Sequence, residues 1–464
     1  MSKIKTDICV IGGGSGGLSV AAGAVQMGAR VVLVEGHKMG GDCLNYGCVP
    51  SKALLSQAKA LKARGTAPTA ADFKAAMAHV KATIATIAPH DSIERFEGLG
   101  VQVVQGYARF TSPTEIDVDG TAITARRFVV ATGSSALVPP IPGLEAVPYM
   151  TNETLFDQTD CPGHLLIIGA GPIGLEMAQA HRRLGARVTV IEAAQALGRD
   201  DPDAAAIVLA SLRSEGIEII EQAQVEHVGG RAGAVEVQVK GGTIFAGTHL
   251  LIAVGRQPNL DRLDLDKAGI RHGRAGITVD AGLRSSNRRV YAIGDVAGQG
   301  QFTHLAGYHA GIVIRSMLFG LPAKARGDHI PHVTFTDPEL ASIGLDENAA
   351  RKKFGGGVSV HRIGYDQIDR AQTDGQKTGF LKLVVARGRP VGVTVVGAQA
   401  GEVIAPYALA IANNLKLSAI AATVLPYPTL AEIGKRAAGA YFSPKLFDNI
   451  NVKRVVGVVQ RWLP

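Results

Sequence analysis

The sequence predicts an α/β protein: two Rossmann-like nucleotide-binding domains followed by a C-terminal α+β domain. Three observations predict it. A glycine-rich turn signature occurs twice in register. The composition is rich in glycine (57 residues) and apolar residues (46%) but poor in aromatics (5%). From His329 onward, alternating strand patterns take over from the glycine-rich repeats. A chain of 464 residues has room for about two to four domains with ample core.

The chain opens with a decoy. Lys3 and Lys5 precede an uncharged run from Ile8 to Ala29, and Ala21-Ala22-Gly23-Ala24 imitates a signal-peptide cleavage site. The run is long enough to suggest a membrane span. Yet it is full of glycine and ends in Arg30 followed by a strand pattern, Val31-Val32-Leu33-Val34. Cleavage near Ala24 would also remove the phosphate loop. A cytoplasmic protein with no membrane partner is expected.

That loop is the first copy of an internal repeat. Ile11-Gly12-Gly13-Gly14-Ser15-Gly16-Gly17-Leu18, running on to Glu35, realigns without a gap onto Ile168-Gly169-Ala170-Gly171-Pro172-Ile173-Gly174-Leu175, running on to Glu192. Each copy reads as strand, glycine turn, helix, second strand and terminal acid. Gly12 and Gly169 allow the tight turn, and Gly14 and Gly171 let the backbone approach a pyrophosphate at the helix N-terminus. Gly17 and Gly174 permit close helix–strand packing. Glu35 and Glu192 lie where a carboxylate accepts from ribose hydroxyls. One such signature is weak; two in register are strong.

Next comes Gly40-Gly41-Asp42-Cys43-Leu44-Asn45-Tyr46-Gly47-Cys48-Val49-Pro50-Ser51-Lys52, which holds two of the four cysteines. Residues five apart on an ideal helix are separated by roughly 9 Å, whereas a disulfide needs Cα atoms within about 7 Å. The pair can bridge only where the first turn is distorted, and Gly47 supplies backbone freedom. A helix is predicted from Val49, with Pro50 in its first turn. Cys48 then sits at the positive end of a helix with Lys52 one turn on, and both lower a thiol pKa. A structural disulfide is disfavoured by the sparing use of cysteine. A zinc site lacks a second ligand pair, which His37 alone does not provide. A redox-active dithiol is the favoured reading.

The C-terminal region opens with strand and turn over residues 331–344. Strands are predicted at Phe380–Val385 and Val391–Val396, and a helix from about Gly401 to Asn414. The net charge of +8 comes from scattered basic residues, with no basic–aromatic cluster, helix-turn-helix or zinc-finger spacing. Nucleic acid is therefore not an expected partner; an acidic carrier protein is the alternative to a plain solvated surface.

Together these motifs resemble the class I pyridine nucleotide–disulphide oxidoreductases, the family of dihydrolipoamide dehydrogenase, glutathione reductase and mercuric reductase, over essentially the whole chain. The resemblance implies FAD on the first copy and a nicotinamide nucleotide on the second. It implies that Cys43 exchanges with substrate, while Cys48 contacts the flavin and forms the thiolate–flavin charge-transfer complex. Gly41 and Lys52 beside the cysteines, Ala108 in Gly106-Tyr107-Ala108, Ala131-Thr132-Gly133, Gly294-Asp295 and Leu305-Ala306 fit the FAD architecture, with Asp295 on the ribityl chain. Lys52 is expected to pair with Glu176 near the flavin N5. Gly255-Arg256 closes the nicotinamide domain. Glu192 argues for NAD(H) over NADP(H), with Arg199 as a nearby alternative phosphate ligand. The implied domains are 1–150 for FAD, 151–278 for NAD(P), 279–328 completing the FAD domain, and 329–464 for dimerisation. A homodimer with composite active sites follows.

One motif departs from the disulfide-specific relatives. In Leu425-Pro426-Tyr427-Pro428-Thr429-Leu430-Ala431-Glu432, Tyr427 stands where they carry a histidine that pairs with the glutamate matching Glu432. A tyrosine titrates near about 10 and imidazole near about 6.5, so Tyr427 is a poor acid–base at neutrality. Mercuric reductases also carry tyrosine here. They use a C-terminal cysteine pair to hand over metal, however, and this chain has no cysteine after Cys161. The expected function is a dihydrolipoamide dehydrogenase-like NAD(P)H:disulfide oxidoreductase. The alternatives are a mercuric reductase-like reductase of a soft metal ion or other non-disulfide acceptor, and a redox subunit acting on a lipoyl carrier. No resident metal is expected.

Overall fold

The computed structural model describes residues 3–463. The chain forms two compact units. One runs through Ala194 and resumes over Gly216–Gly327; the other joins Gln195–Glu215 to the chain from Asp328 onward.

In the first unit, β1 (Lys3–Ile11), α1 (Ser15–Gln26) and β2 (Val31–Glu35) make the first strand–turn–helix–strand, with Ile8 opposite Val31 and Ile11 opposite Val34 in parallel register. Then follow α2 (Gly41–Asn45), α3 (Cys48–Arg64), α4 (Ala70–Ile87), α5 (Ile93–Gly98), β3 (Gln102–Gln105), β4 (Ala108–Ser112), β5 (Glu115–Val118) and β6 (Thr121–Val130). The sheet order is β3-β2-β1-β6-β5-β4. The strand ends that lead to the glycine turn, Ile8–Ile11 of β1, Val31–Val34 of β2 and Phe128–Val130 of β6, are buried, which is why they read as unbroken apolar runs. Cys9 lies inside β1, wholly buried. Burial pushes its thiol far up, which makes it inert.

After the short β7 (Ser134–Ala136), the motif recurs as β8 (His164–Ile168), α6 (Pro172–Arg183) and β9 (Arg187–Ile191), and α7 (Pro202–Ser214) belongs to the second unit. β10 (Glu218–Ile220), an antiparallel sheet of β11 (Val225–Arg231), β12 (Ala234–Val239) and β13 (Ile244–Gly247), and β14 (His249–Ile252) follow. The second parallel sheet has the order β10-β9-β8-β14. β15 (Arg256–Pro258) pairs antiparallel with β7. A two-stranded ribbon, β16 (His272–Gly273) and β17 (Gly276–Ile277), precedes β18 (Val290–Ala292), which returns to the first sheet beside β6 with Tyr291 opposite Val129. The helix α8 (Thr303–Phe319) then packs on α1, where a Cβ at Gly23 would lie 2.6 Å from Ile314.

The second unit is built on an antiparallel sheet of β19 (His332–Thr334), β20 (Glu339–Gly344), β21 (Val358–Gly364), β22 (Phe380–Ala386) and β23 (Arg389–Gly397), in the order β19-β20-β23-β22-β21. Its helices are α9 (Glu347–Phe354), α10 (Asp369–Thr373), α11 (Ala400–Val403), α12 (Ala405–Ala412), α13 (Leu417–Ala422), α14 (Glu432–Phe447) and α15 (Ile450–Trp462). The core sets Leu381, Leu383, Val393 and Val395 against Tyr365, Tyr407 and Ile433. The single helix expected from Gly401 to Asn414 is two helices, because Pro406 has no N–H to continue the ladder and instead occupies the first turn of α12. Lys382 holds the start of α7 through Asp201 and Asp203, at 2.6 and 3.4 Å.

Candidate active site

The two glycine turns are chemically superimposable. Gly12 and Gly169 take φ of +109° and +108°, and a Cβ on either would strike a carbonyl: Ala131 O at 2.4 Å in the first copy, Ala253 O at 2.3 Å in the second. Gly17 and Gly174 are needed for contact instead. A Cβ there would fall 1.9 Å from Gly12 O and 2.0 Å from Gly169 O. Each terminal acid closes its own loop. Glu35 accepts from Gly13 N at 2.6 Å and His37 N at 2.7 Å; Glu192 accepts from Ala170 N at 2.8 Å and Ala194 N at 2.9 Å. Each carboxylate is thus fixed where its remaining lone pairs can meet a ribose. A Cβ on Gly171 would find nothing within 4 Å, so open space remains where a phosphate would approach the backbone, and Ile173 is exposed beside it at the start of α6.

The first turn gathers the remaining flavin candidates. A Cβ on Gly16 or on Gly294 would meet Ala306 at 3.1 Å, so α1 (with Ser15 at its start), the Gly294-Asp295 turn and α8 converge there. Gly41 backs onto Gly14, where a Cβ would lie 2.7 Å from the Gly14 Cα. Ala108 is buried at the head of β4. Thr132 Oγ1 donates to Asn259 O at 2.8 Å, and Asn259 N donates to Gly133 O at 3.0 Å. Gly255 O accepts from Leu137 N at 2.9 Å. These cradles fit a dinucleotide of the FAD type.

Around the cysteines the chain makes the distortion the spacing demands, by stopping one helix and starting another. Cys43 lies in α2; Tyr46 and Gly47 interrupt; Cys48 opens α3, one residue earlier than expected. The reason for Gly47 is room rather than a left-handed backbone: its φ is −118°, and a Cβ would fall 2.8 Å from Asp42 Oδ2 and 3.3 Å from Cys43 Cα. Both cysteines are free thiols here, Cys43 half-buried and Cys48 exposed. Interaction with the Cys43 thiol, followed by Thr303 and then the Lys52 charge, lowers Cys48 to about 6. The same interaction, with burial, pushes Cys43 up. The largest cause is therefore the partner thiol, with Lys52 secondary. The Thr303 hydroxyl lies 3.4 Å from the Cys48 sulfur.

One turn along α3, Lys52 Nζ lies 2.8 Å from Glu176 Oε2 on α6, with the Glu176 side chain 5% exposed. On the other side of Cys43, Asp42 takes Arg256 at 3.0 Å and Asn152 Nδ2 at 2.9 Å. Arg256 also donates to Ser134 Oγ at 2.8 Å, and Ser134 Oγ donates to Asp295. Burial raises the Asp295 pKa, opposed by Ser134 and Arg256. Gly294 N donates to Nδ1 of the buried His309 at 3.2 Å, and burial drops that imidazole to about 4. Sequence reasoning missed Asp42, Ser134, Asn152, Thr303 and His309. Only Asp42, inside the cysteine run, carried a signal.

In the second unit, Tyr427 donates its hydroxyl to Asp369 Oδ2 at 2.8 Å, with Arg436 Nη2 3.7 Å from Asp369 Oδ1. The Asp369 hydrogen bond, then its charge, raises the phenol pKa. Glu432 opens α14, and its Oε2 is buried with no partner. His37, which alone could not complete a zinc site, bonds Tyr46 Oη at 2.8 Å.

Known proteins carry the same assembly. The pyridine nucleotide-disulphide oxidoreductase family matches residues 6–310, and that family's dimerisation domain matches residues 330–438. A mercuric reductase of Bacillus cereus is 33% identical over 92% of this chain and 70% of its own. A dihydrolipoyl dehydrogenase of Thermus scotoductus is 35% identical over 94% of this chain and 97% of its own. Among solved structures, the Cu(II) complex of the HOCl-induced flavoprotein disulfide reductase RclA from Escherichia coli aligns with a TM-score of 0.86 at 28% identity, covering 94% of this chain and 99% of that one. With a thiol pair lying between two nucleotide cradles and a dimerisation domain after them, the chain belongs to the class I pyridine nucleotide–disulphide oxidoreductases, a family that is FAD-dependent and uses a pyridine nucleotide.

Proposed function

We propose that the protein is a cytoplasmic, homodimeric NADH-dependent reductase that passes two electrons through Cys43 and Cys48 to a thiophilic metal ion. Bound at the first glycine turn, FAD supplies the two-electron relay from NADH. The protein's own part is electrostatic. A hydride equivalent splits the Cys43–Cys48 bond into one thiolate and one thiol, with NADH becoming NAD+. The negative charge settles on Cys48, where the Cys43 thiol, Thr303 and Lys52 stabilise it. Cys43 keeps the proton and, on losing it to solvent, binds the acceptor; re-forming the Cys43–Cys48 bond then releases the two electrons, to one Hg(II) or to two Cu(II). Glu176 holds Lys52 in place, and Glu192 favours NADH because a carboxylate repels a 2′-phosphate.

One observation carries the choice of acceptor. Tyr427 takes the place of the acid–base histidine, and Asp369 holds its phenol protonated. Protonating a leaving thiolate near neutrality suits imidazole, not such a phenol. A metal ion bound by thiolates needs no such proton. Dithiol oxidation is the second reading, favoured by the dihydrolipoyl dehydrogenase relative.

The test is NADH oxidation by the purified holoenzyme with Hg(II), Cu(II), lipoamide, glutathione disulfide and quinones. The metals should lead in kcat/KM, and Tyr427→Phe should leave metal turnover largely intact, because that route needs no proton from the phenol. Lipoamide or glutathione disulfide leading in kcat/KM would overturn the metal reading.

A further inference from the structure

Beyond residue 438, where the family's dimerisation domain ends, the chain forms α15. It is a well-made helix: the Asn449 side chain caps it by accepting from Asn451 N at 2.9 Å and Val452 N at 3.4 Å. Yet none of its side chains is buried among the described residues. At 100° per residue, Val452, Val455, Val456, Val458, Val459 and Trp462 share one continuous face, and Leu463 extends it. Val455 is 62% exposed, Trp462 80% and Leu463 64%. Lys453, Arg454 and Arg461 lie on the opposite face, and residues 449–463 contain no Asp or Glu. A helix this amphipathic and this open is normally covered.

We propose that α15 docks the enzyme on an anionic phospholipid surface. The valine–tryptophan face would lie among the acyl chains, with the three cations among the headgroup phosphates. The occupant follows from charge. A lipid surface with anionic headgroups satisfies both faces of a basic amphipathic helix, with Trp462 and Leu463 at the boundary where amphipathic helices anchor. A second copy would cover the apolar face but leave all its cations without acidic partners in the facing helix. No described helix is long and apolar enough to cross a membrane, so the contact is with the surface only.

The test uses the full-length holoenzyme floated with vesicles of phosphatidylcholine alone or mixed with phosphatidylglycerol. It should float with the anionic vesicles, stay behind with the neutral ones, and be released by salt. Each cation is worth about fivefold in partitioning, so K453Q/R454Q/R461Q should lower binding about a hundredfold. V455D/V459D should also abolish it, while flavin absorbance, thermal unfolding and sedimentation stay as in the parent. Failure of the parent to float with anionic vesicles would overturn the proposal. So would dissociation of the homodimer by V455D/V459D, which would assign the face to a second copy.

Discussion

Replacing Thr303 by valine removes a hydroxyl 3.4 Å from the Cys48 sulfur and keeps the side chain's volume and branching. In the dithiol form the Cys43 thiol, Thr303 and the Lys52 charge lower Cys48 to about 6. At pH 7 about nine molecules in ten then carry the thiolate. A hydrogen bond to an ion is worth about 1.5–3 kcal/mol; taking the low end for a long bond to sulfur, its loss raises the pKa by about one unit. The variant should therefore be about half thiolate at pH 7. The direction follows from the charge: the thiolate exists above the pKa, so acid abolishes it and the variant needs a higher pH to keep it. The assay is anaerobic pH titration of the long-wavelength absorbance of the two-electron-reduced holoenzyme, with iodoacetamide alkylation as a parallel readout. A midpoint near the ordinary thiol value of about 8.5 in the parent would refute the reasoning. So would identical midpoints in parent and variant.

Glu192→Arg should narrow or reverse the preference for NADH over NADPH. Because Glu192 also accepts from two backbone N–H groups, the kcat/KM ratio is the readout rather than either rate alone; an unchanged ratio would exclude the ribose contact. Glu176→Gln should lower stability to urea by about 1–2 kcal/mol, less than a fully buried pair would lose because Lys52 is about a third exposed; an unmoved midpoint would show the pair to be energetically idle. Tyr427→His should bring the new imidazole to the unpartnered Glu432 Oε2 and raise lipoamide turnover by part of the about 10²–10⁴-fold available to general acid–base help. No gain would mean that proton transfer does not limit disulfide chemistry here.

What is legible in the sequence is what local chemistry dictates. A glycine whose Cβ would strike a carbonyl, as at Gly12 and Gly169, has no substitute, so the turn is written into the residues themselves. The alternation at Phe380–Val385 marks β22 to within a residue. The interruption between α11 and α12 is encoded at Pro406, but the apolar run around it reads as one continuous helix. The groups that tune the site come from far along the chain. Thr303 reaches Cys48 across 255 positions, and Asp369 reaches Tyr427 across 58. No periodicity records such contacts, because they depend on how finished helices and sheets pack. For the same reason Lys52 and the helix start look sufficient to explain Cys48, when the largest influence lowering its pKa is Cys43 itself.

The central claim is that electrons from NADH come to rest on the Cys43–Cys48 pair, with the charge on Cys48. Anaerobic titration of the purified holoenzyme with one equivalent of NADH, followed spectrally, tests it most directly. A long-wavelength charge-transfer band should grow in the parent and be absent from Cys48→Ser. In Cys43→Ser it should stand before any reductant is added, because Cys48 can no longer be held in a disulfide. Bleaching of the flavin with no such band, alike in the parent and both variants, would contradict the account.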